Sequence, residues 1–561
     1  MYSTAMFSQE RETLMELARK DAEGLFWTPR GGNNETEIWA SCHLFVSAIR
    51  DSETGRMHKD VLLVDMGRHE TPDRFANGSF DVVIPALNDC LDLPRSKTPE
   101  AENRPAALFI THAHSDHING IFEYVRMGVR LPPVYASEFT ISMIKKGFVE
   151  EGVDWDLMPE FRTVHPGKPV RIGHMTVEAF PAAHSIPGSY SYKIANPCAS
   201  VFHSGDIKAD PTSFLTAGTD IRVLEKIGQD GGVDLMTFDA TATHMEGHAR
   251  HEAEICDIYA SLFERHRDRQ IIAPISPGHM ERLATVAAAA QRTGKHIIIN
   301  GGSTMQSHIM GLAAAGIHLD KMFPRIKVLS GRNPEARKID PKNAVTVTTG
   351  IYGSDASPLV RALRKQEKSF PLRNDAVIIA PLTGERHEKL RAVMEETGRS
   401  GKLLLITATE YPGLYGSGHA QQDDFCRIAA AVRPKAVVPV HCSEEMARQL
   451  ISLSRSLGYA VPSRPVRNGE TVRVMHGKPL ETVSSRSQEW YGIRHLKDEA
   501  GETRIRFTRL PDSRLLREEE KAKALEQKRR EAERKIAEYR NRRPPDPAAE
   551  AVCLKRSLHD R

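Results

Sequence analysis

The chain folds around whatever forms at Thr111-His112-Ala113-His114-Ser115-Asp116-His117. This segment places three imidazoles and one carboxylate within six positions, directly after the apolar run Ala106 to Ile110. A short apolar run of that kind reads as a buried strand. Side chains in a tight loop at the end of a strand can converge on one point. Histidine and aspartate donors suit zinc, and a coordination position left open makes such a site hydrolytic. A polar surface turn is the ordinary alternative, and the strand in front of it argues against that reading.

Three later positions repeat the layout of strand, then ligand. His184 follows the predicted strand Thr176 to Phe180, Asp206 follows Ser200 to His203, and His441 follows the apolar run Ala436 to Val440. Taken singly, each is more often a structural histidine or a capping aspartate. Taken with the first motif, they are candidates to complete a metal centre, and a carboxylate at Asp206 can bridge two ions. His43, His203, His244, His248 and His251 also lie near these motifs and are read as structural or outer groups.

The pattern His-x-His-x-Asp-His resembles the signature of the metallo-β-lactamase fold. The ordered set Ala183-His184-Ser185-Ile186-Pro187, Gly205-Asp206-Ile207-Lys208, Thr349-Gly350 followed by Gly353, Pro381 to Glu385, Ser417-Gly418-His419-Ala420 and Pro439-Val440-His441 resembles ribonuclease J, of the β-CASP group. Asp239, His419 and His441 match the three motifs of that group, and the likeness spans about Gly31 to Glu445. It implies an α/β fold: a metallo-β-lactamase αββα sandwich with an inserted β-CASP α/β domain, then a short C-terminal region and a charged helical tail. The implied division is 1–244 for the first part of the sandwich, 245–385 for the insertion and 386–465 for the return. A small region at 466–513 and a tail at 514–561 complete it.

Carried over residue by residue, the resemblance assigns His112, His114 and His184 to one metal. It assigns Asp116, His117 and His441 to a second, with Asp206 bridging. The implied cofactor is two Zn2+ per chain, with Mn2+ or Mg2+ as alternatives. The expected reaction is hydrolysis of phosphodiester bonds in single-stranded RNA by a two-zinc-activated hydroxide, as a 5′→3′ exonuclease, an endonuclease or both. Asp116, His419 and Asp239 are the expected catalytic residues: His419 protonates the departing oxygen and Asp239 orients a ligand histidine. Ser417, Gly418, His419 and Ser354 are expected against the substrate. A histidine at the third motif, here His441, is associated in that group with RNA rather than DNA. The chain departs from the family pattern at Cys442, at Tyr415 and in Ser276-Pro277-Gly278-His279-Met280-Glu281-Arg282, which is longer than the comparable family segment. These departures bear on directionality and substrate preference more than on metal chemistry.

Composition limits the remaining classes. At 561 residues two or three domains are expected. Seven scattered cysteines without a CxxC pair argue for a reducing compartment and against a disulfide framework. No apolar stretch reaches membrane-spanning length and the N-terminus lacks a signal-peptide pattern, so a cytoplasmic location and no membrane partner are expected. From Arg514 to Arg543 there are twelve Lys/Arg against seven Glu, so this tail alone exceeds the net charge of +4 of the whole chain. The tail reads as a solvated helix or a contact for RNA or protein. A homo-oligomer is a further expectation. Three other readings stay open: a DNA nuclease of the same group, a small-molecule metallo-hydrolase, and a non-catalytic RNA-binding protein.

Overall fold

The structure, a computed structural model, describes residues 22–34, 38, 40–69, 80–93, 99–367, 372–383, 388–399, 402–485, 488–497 and 503–510. The expected tail at 514–561 lies outside the described residues, as do Gly384 and Glu385.

Two sheets face each other. The first has eight strands in the edge-to-edge order Glu481–Ser485, Glu470–Val474, Gly24–Gly31, Cys42–Arg50, Met57–Val64, Ala107–Phe109, Val134–Ala136 and Phe161–Thr163. The second has six, in the order Pro434–Val440, Val233–Asp239, Ala199–His203, Tyr190–Asn196, Met175–Pro181 and Val170–Ile172. Side chains alternate between the faces of a strand, so one strand supplies two different cores. Leu25 and Trp27 of Gly24–Gly31 point between the sheets, where they meet Phe45, Tyr192, Ile194 and Val438. Phe26, between them in sequence, points the other way, into the core under Phe122, Ile144 and Phe148 of the covering helices. The second sheet is covered in turn by the helices Ile221–Gln229, Gln422–Val432 and Glu444–Ser456, through Leu224, Phe425, Ile428 and Leu450. The result is helix, sheet, sheet, helix. Strands covered on both faces should read as nearly continuous apolar runs rather than alternating ones, and Val61 to Val64 and Ala106 to Ile110 do.

A third sheet lies between Ile271 and Thr407. Its six strands run Val328–Ser330, His296–Asn300, Ala344–Thr348, Ile271–Pro274, Val377–Ala380 and Leu404–Thr407, and every pair is parallel. Parallel neighbours need crossover connections, and helices such as Met280–Arg292 and Glu388–Glu396 provide them.

Two expected boundaries are corrected. The insertion does not end at 385: Leu404–Thr407 pairs with Val377–Ala380 and completes the third sheet. An unalternating run such as Leu403 to Ile406 carries no mark of the sheet it joins. Residues 466–510 do not form a separate region. Glu470–Val474 pairs antiparallel with Gly24–Gly31, Glu481–Ser485 extends that sheet, and Trp490–Lys497 pairs with Val82–Pro85. The first and last of these pairings join strands more than 400 residues apart, so no local pattern announces them.

The third sheet's lobe is fastened to the sandwich at two places. On one side the helix Glu138–Glu150 packs on Ser303–Ala314: Ser142 Oγ donates to the Gly311 carbonyl at 3.1 Å and Ser307 Oγ donates to Glu150 at 2.5 Å. On the other side the Glu281 amide donates to the Ser185 carbonyl at 3.0 Å, while the Glu281 carboxyl accepts from Ser213 Oγ at 2.9 Å and from the Phe214 amide. A buried ionic group lies beside this second fastening. Lys208 Nζ reaches Asp210 at 3.1 Å and Glu252 at 3.2 Å, and Arg282 Nε reaches Glu252 at 3.2 Å. Among the described residues, no helix is long and apolar enough to cross a membrane.

Candidate metal centre

The first motif begins where Ala107–Phe109 ends and runs into the short helix Ser115–Ile118. Its loop passes so close to Gly67 that a Cβ there would lie 1.7 Å from the Asp116 carbonyl oxygen, so only glycine fits. The Ser41 amide donates to that same carbonyl at 2.7 Å. The loop is thereby held against the first sheet, and its side chains are aimed across the ends of the second.

Three histidines meet first. His112 Nε2 lies 2.9 Å from His114 Nδ1, and His184 Nε2 lies 3.1 Å from the same atom. Their other ring atoms show which nitrogens carry protons. His184 Nδ1 donates to the Gly418 carbonyl at 2.7 Å, because a carbonyl can only accept. Thr111 Oγ1 has one proton and lies 2.9 Å from Asp65 Oδ2, so toward His112 Nδ1, at 3.0 Å, it accepts. Both Nε2 atoms therefore present lone pairs to the point where the three rings converge. Burial, reinforced by mutual repulsion, keeps these rings neutral: the pKa values of His112 and His184 fall well below the ordinary value and that of His114 falls to about 3.

The second group is more acidic. His441 Nε2 lies 3.1 Å from Asp116 Oδ2, and His117 Nε2 lies 3.7 Å from the same oxygen. His117 Nδ1 donates to Asp65 Oδ2 at 2.8 Å. Burial opposes charge on His117, but the carboxylates of Asp206, Asp65 and Asp116 outweigh it and raise its pKa to about 9. His441 is raised in the same way, chiefly by Asp206 against burial, and Asp116 is lowered because the imidazoles of His117 and His441 outweigh its desolvation. His441 has a left-handed backbone, φ 53°. That conformation costs a non-glycine residue roughly 1 kcal/mol. It is held by Thr241 Oγ1, which donates to the His441 carbonyl at 2.9 Å, and by the Cys442 amide, which donates to Gly32 at 3.0 Å.

Asp206 stands between the groups and turns one oxygen to each. Oδ2 lies 3.6 Å from His112 Nε2 and 3.5 Å from His184 Nε2. Oδ1 lies 3.5 Å from His117 Nε2 and 3.6 Å from His441 Nδ1. Asp206 Oδ1 and His117 Nε2 are buried and have no hydrogen-bond partner among the described residues. Unpaired buried polar atoms are costly and rare. Here they face one another 3.5 Å apart, beside the converging nitrogens of the first group, and that donor set suits cations. The ligand atoms of His112, His114, His184 and Asp206 all lie within 4.8 Å of one another, as do those of Asp116, His117 and His441. All seven side chains expected at a metal centre are therefore brought together.

Asp239 does not reach the first histidine group. Its Oδ2 accepts from His419 Nδ1 at 2.7 Å and its Oδ1 lies 3.8 Å from His441. Burial of His419 is outweighed by Asp239, which raises the pKa of that ring. Ser417, Gly418 and His419 line a cavity of about 270 Å3 together with His114, Asp116, His184, Asp206 and His441. Gly418 is required there: a Cβ would lie 2.9 Å from His184 Cε1. Ser354 is placed elsewhere. It is exposed, in a turn where its carbonyl accepts from Ser357, and Ile351 and Tyr352 form the cavity wall instead.

Two residues of the site carried no assigned role in the sequence. Asp65 is fully buried at the end of Met57–Val64 and accepts from the Thr111 amide, the Thr111 hydroxyl and His117. The signal for it was its place directly after an apolar strand with Gly67 two residues on, the same layout as the metal motifs. His279 lies in the lengthened segment 276–282 and lines the 270 Å3 cavity. The rings of His43 and His203 are tilted by 58° with centroids 4.5 Å apart, and Thr237 Oγ1 lies 2.9 Å from His203 Nδ1.

Residues 76–299 match the family model described as the Beta-lactamase superfamily domain. Ribonuclease J of Mycolicibacterium smegmatis is 27% identical over 427 residues, which cover 74% of this chain and 71% of the relative. Ribonuclease J2 of Bacillus subtilis is 24% identical over 406 residues, 71% of this chain and 68% of the relative. Among solved structures, a protein of unknown function from Enterococcus faecalis V583 superposes with a TM-score of 0.54 at 14% identity, covering 81% of this chain and all of that one. That likeness bears on the fold alone.

Proposed function

We propose that this ribonuclease J-like protein of the metallo-β-lactamase superfamily is a metal-dependent phosphodiesterase acting on single-stranded RNA. The observation that carries the reading is the Asp206 carboxylate, with one oxygen toward each of two converging ligand groups. In this reading His112, His114 and His184 would hold one divalent cation, Asp116, His117 and His441 would hold a second, and Asp206 would serve both. Two such cations, zinc in the first instance, would neutralise phosphodiester charge and lower the pKa of an attacking water.

The other steps belong to the chain's own side chains. Thr241 orients His441 through Nδ1 at 3.0 Å, and Asp65 orients His117 at 2.8 Å. His419 keeps its proton because Asp239 accepts from Nδ1, and its place in the cavity wall suits it to protonate the departing 3′ oxygen. Ser417 and Gly418 present small side chains beside it, so the nucleic-acid backbone can come close. The lobe from residue 245 to about Thr407 forms the far wall of the cavity through Ile275, Ser276, His279 and Ile351, which suits a strand lying between the lobes better than a compact small molecule. His441 at the third motif favours RNA over DNA.

The full chain with zinc is expected to degrade a 5′-labelled single-stranded RNA, and Asp116→Ala is expected to abolish that activity. Degradation undiminished by the substitution removes the assignment. Equal or faster cleavage of a matched DNA strand replaces RNA by DNA. The same RNA bearing a 5′ triphosphate, monophosphate or hydroxyl separates end-dependent from internal cleavage by product length.

A further inference from the structure

We propose that His279 of the inserted lobe donates a hydrogen bond to a phosphoryl oxygen of the substrate, a contact that rests on the phosphodiesterase reading above. The helix Met280–Arg292 begins at this residue, and His279 Nδ1 accepts from the backbone N–H of Arg282 at 3.1 Å. A ring nitrogen that accepts carries no proton, so in a neutral imidazole the proton sits on Nε2. Burial, aided by the Arg282 charge, keeps the ring neutral, with its pKa lowered to about 3. The helix cap thus selects the tautomer and leaves Nε2–H as a donor.

The ring lines the cavity that holds His114, Asp116, Asp206 and His441. Among the described residues no acceptor lies within hydrogen-bond distance of its Nε2. Its position is fixed relative to the ligand histidines. Glu281, two residues on, is bonded through its amide to the Ser185 carbonyl at 3.0 Å, and Ser185 Oγ lies 2.9 Å from His114 Nε2. Arg282 also borders the cavity, but its guanidinium is turned to Glu252 and to the Leu414 carbonyl. His279 is therefore a neutral, directional donor from the inserted lobe at the place where an anionic, acceptor-rich group has to lie.

A neighbouring cavity shows the opposite polarity. It shares His114 and is bordered by His308, whose Nδ1 donates to the Thr304 carbonyl at 2.8 Å. The Nε2 of that ring is then a lone pair, and Glu150 and Glu151 line the same space. A phosphoryl oxygen is matched on the His279 side and not on the His308 side.

His279→Asn makes the test. Asparagine is a good N-cap, so the helix start is kept, but its side chain is too short to carry a donor to the position of Nε2. Single-turnover cleavage is measured with the zinc-loaded full chain on a short RNA carrying one phosphorothioate, Rp or Sp, at the scissile bond. The variant is expected to keep the Tm and zinc content of the unsubstituted protein. It is expected to lose about tenfold in kcat/KM on all-oxygen RNA, the scale of one hydrogen bond to a charged group. Part of the discrimination between the two diastereomers should vanish with it. Cleavage by His279→Asn at the unsubstituted rate overturns the contact. So does an equal loss on both diastereomers with their ratio unchanged, which marks a structural role. If the unsubstituted protein cleaves no RNA, the phosphodiesterase reading fails, and this contact fails with it.

Discussion

The two halves of the candidate centre share Asp206 but are supported by different groups. His112, His114 and His184 are oriented by neutral partners: the Thr111 hydroxyl, the Ser185 hydroxyl and the Gly418 carbonyl. In the other half, His117 is oriented by the carboxylate of Asp65, and His441 has Thr241 Oγ1 at 3.0 Å behind its Nδ1. A carbonyl or hydroxyl fixes the direction of an imidazole, whereas a carboxylate behind it also raises its basicity. The difference shows in the direction in which each half shifts its histidines. The first half stays neutral, with His114 lowered to about 3, and the second half retains a proton, with His117 raised to about 9. A cation entering the first half displaces no proton, and one entering the second half has to displace protons.

The largest effect that tests this division is expected from Asp206→Ala, which withdraws an oxygen from both halves at once. Elemental analysis of the purified variant should find zinc near zero per chain; one ion retained would show that the halves do not depend on their shared carboxylate. Asp65→Asn should act mainly on the second half, and only through Thr111 on the first, and weaken one of the two proposed zinc ions by roughly 10–100-fold in a chelator competition. Equal weakening of both ions would break the comparison. Gly418→Ala should do the converse, because its Cβ would press on His184 at 2.9 Å. The same competition should show the loss in the other ion, by about tenfold on the same scale.

The smallest effect concerns the support beneath the first half. Burial and the nearby Glu252 charge raise the pKa of Glu281 from 4.5 to about 7. An acid whose folded pKa is raised contributes stability that is fully present below its unfolded value and lost as pH rises through the folded value. The window is therefore pH 4.5 to 7, with stability falling upward. Glu281→Gln should raise Tm at pH 8 by about 2 °C and leave it unchanged at pH 5. An equal shift at both pH values would mean that the carboxyl does not titrate there.

The side chains that converge at the centre were legible because each stands at the end of an apolar strand, where the loop after the strand must face one edge of a sheet. His112, Asp206 and His441 all show this. Asp65 has the same layout but lacks a neighbouring histidine to draw notice. Asp239 could be matched to a motif, but its choice of His419 over the ligands of the first half depends on how Val233–Asp239 and the loop at Ser417 meet, 180 residues apart. His279 was visible only as part of a lengthened loop, since the proton on its ring depends on a helix cap. In the fold, the inserted domain was legible through the ordered motifs that carry the family resemblance. Leu404–Thr407 was assigned to the wrong sheet, and the strands after residue 466 were taken for a separate piece, because pairing with Gly24–Gly31 or Val82–Pro85 leaves no mark in local sequence.

The inserted lobe is tied to the sandwich by Ser142 and Ser307 and again by Glu281. A swing of the lobe away from the sandwich must undo these ties. The wall that His279 lends to the cavity is therefore clamped in register with the histidines, as a jig holds one workpiece against another.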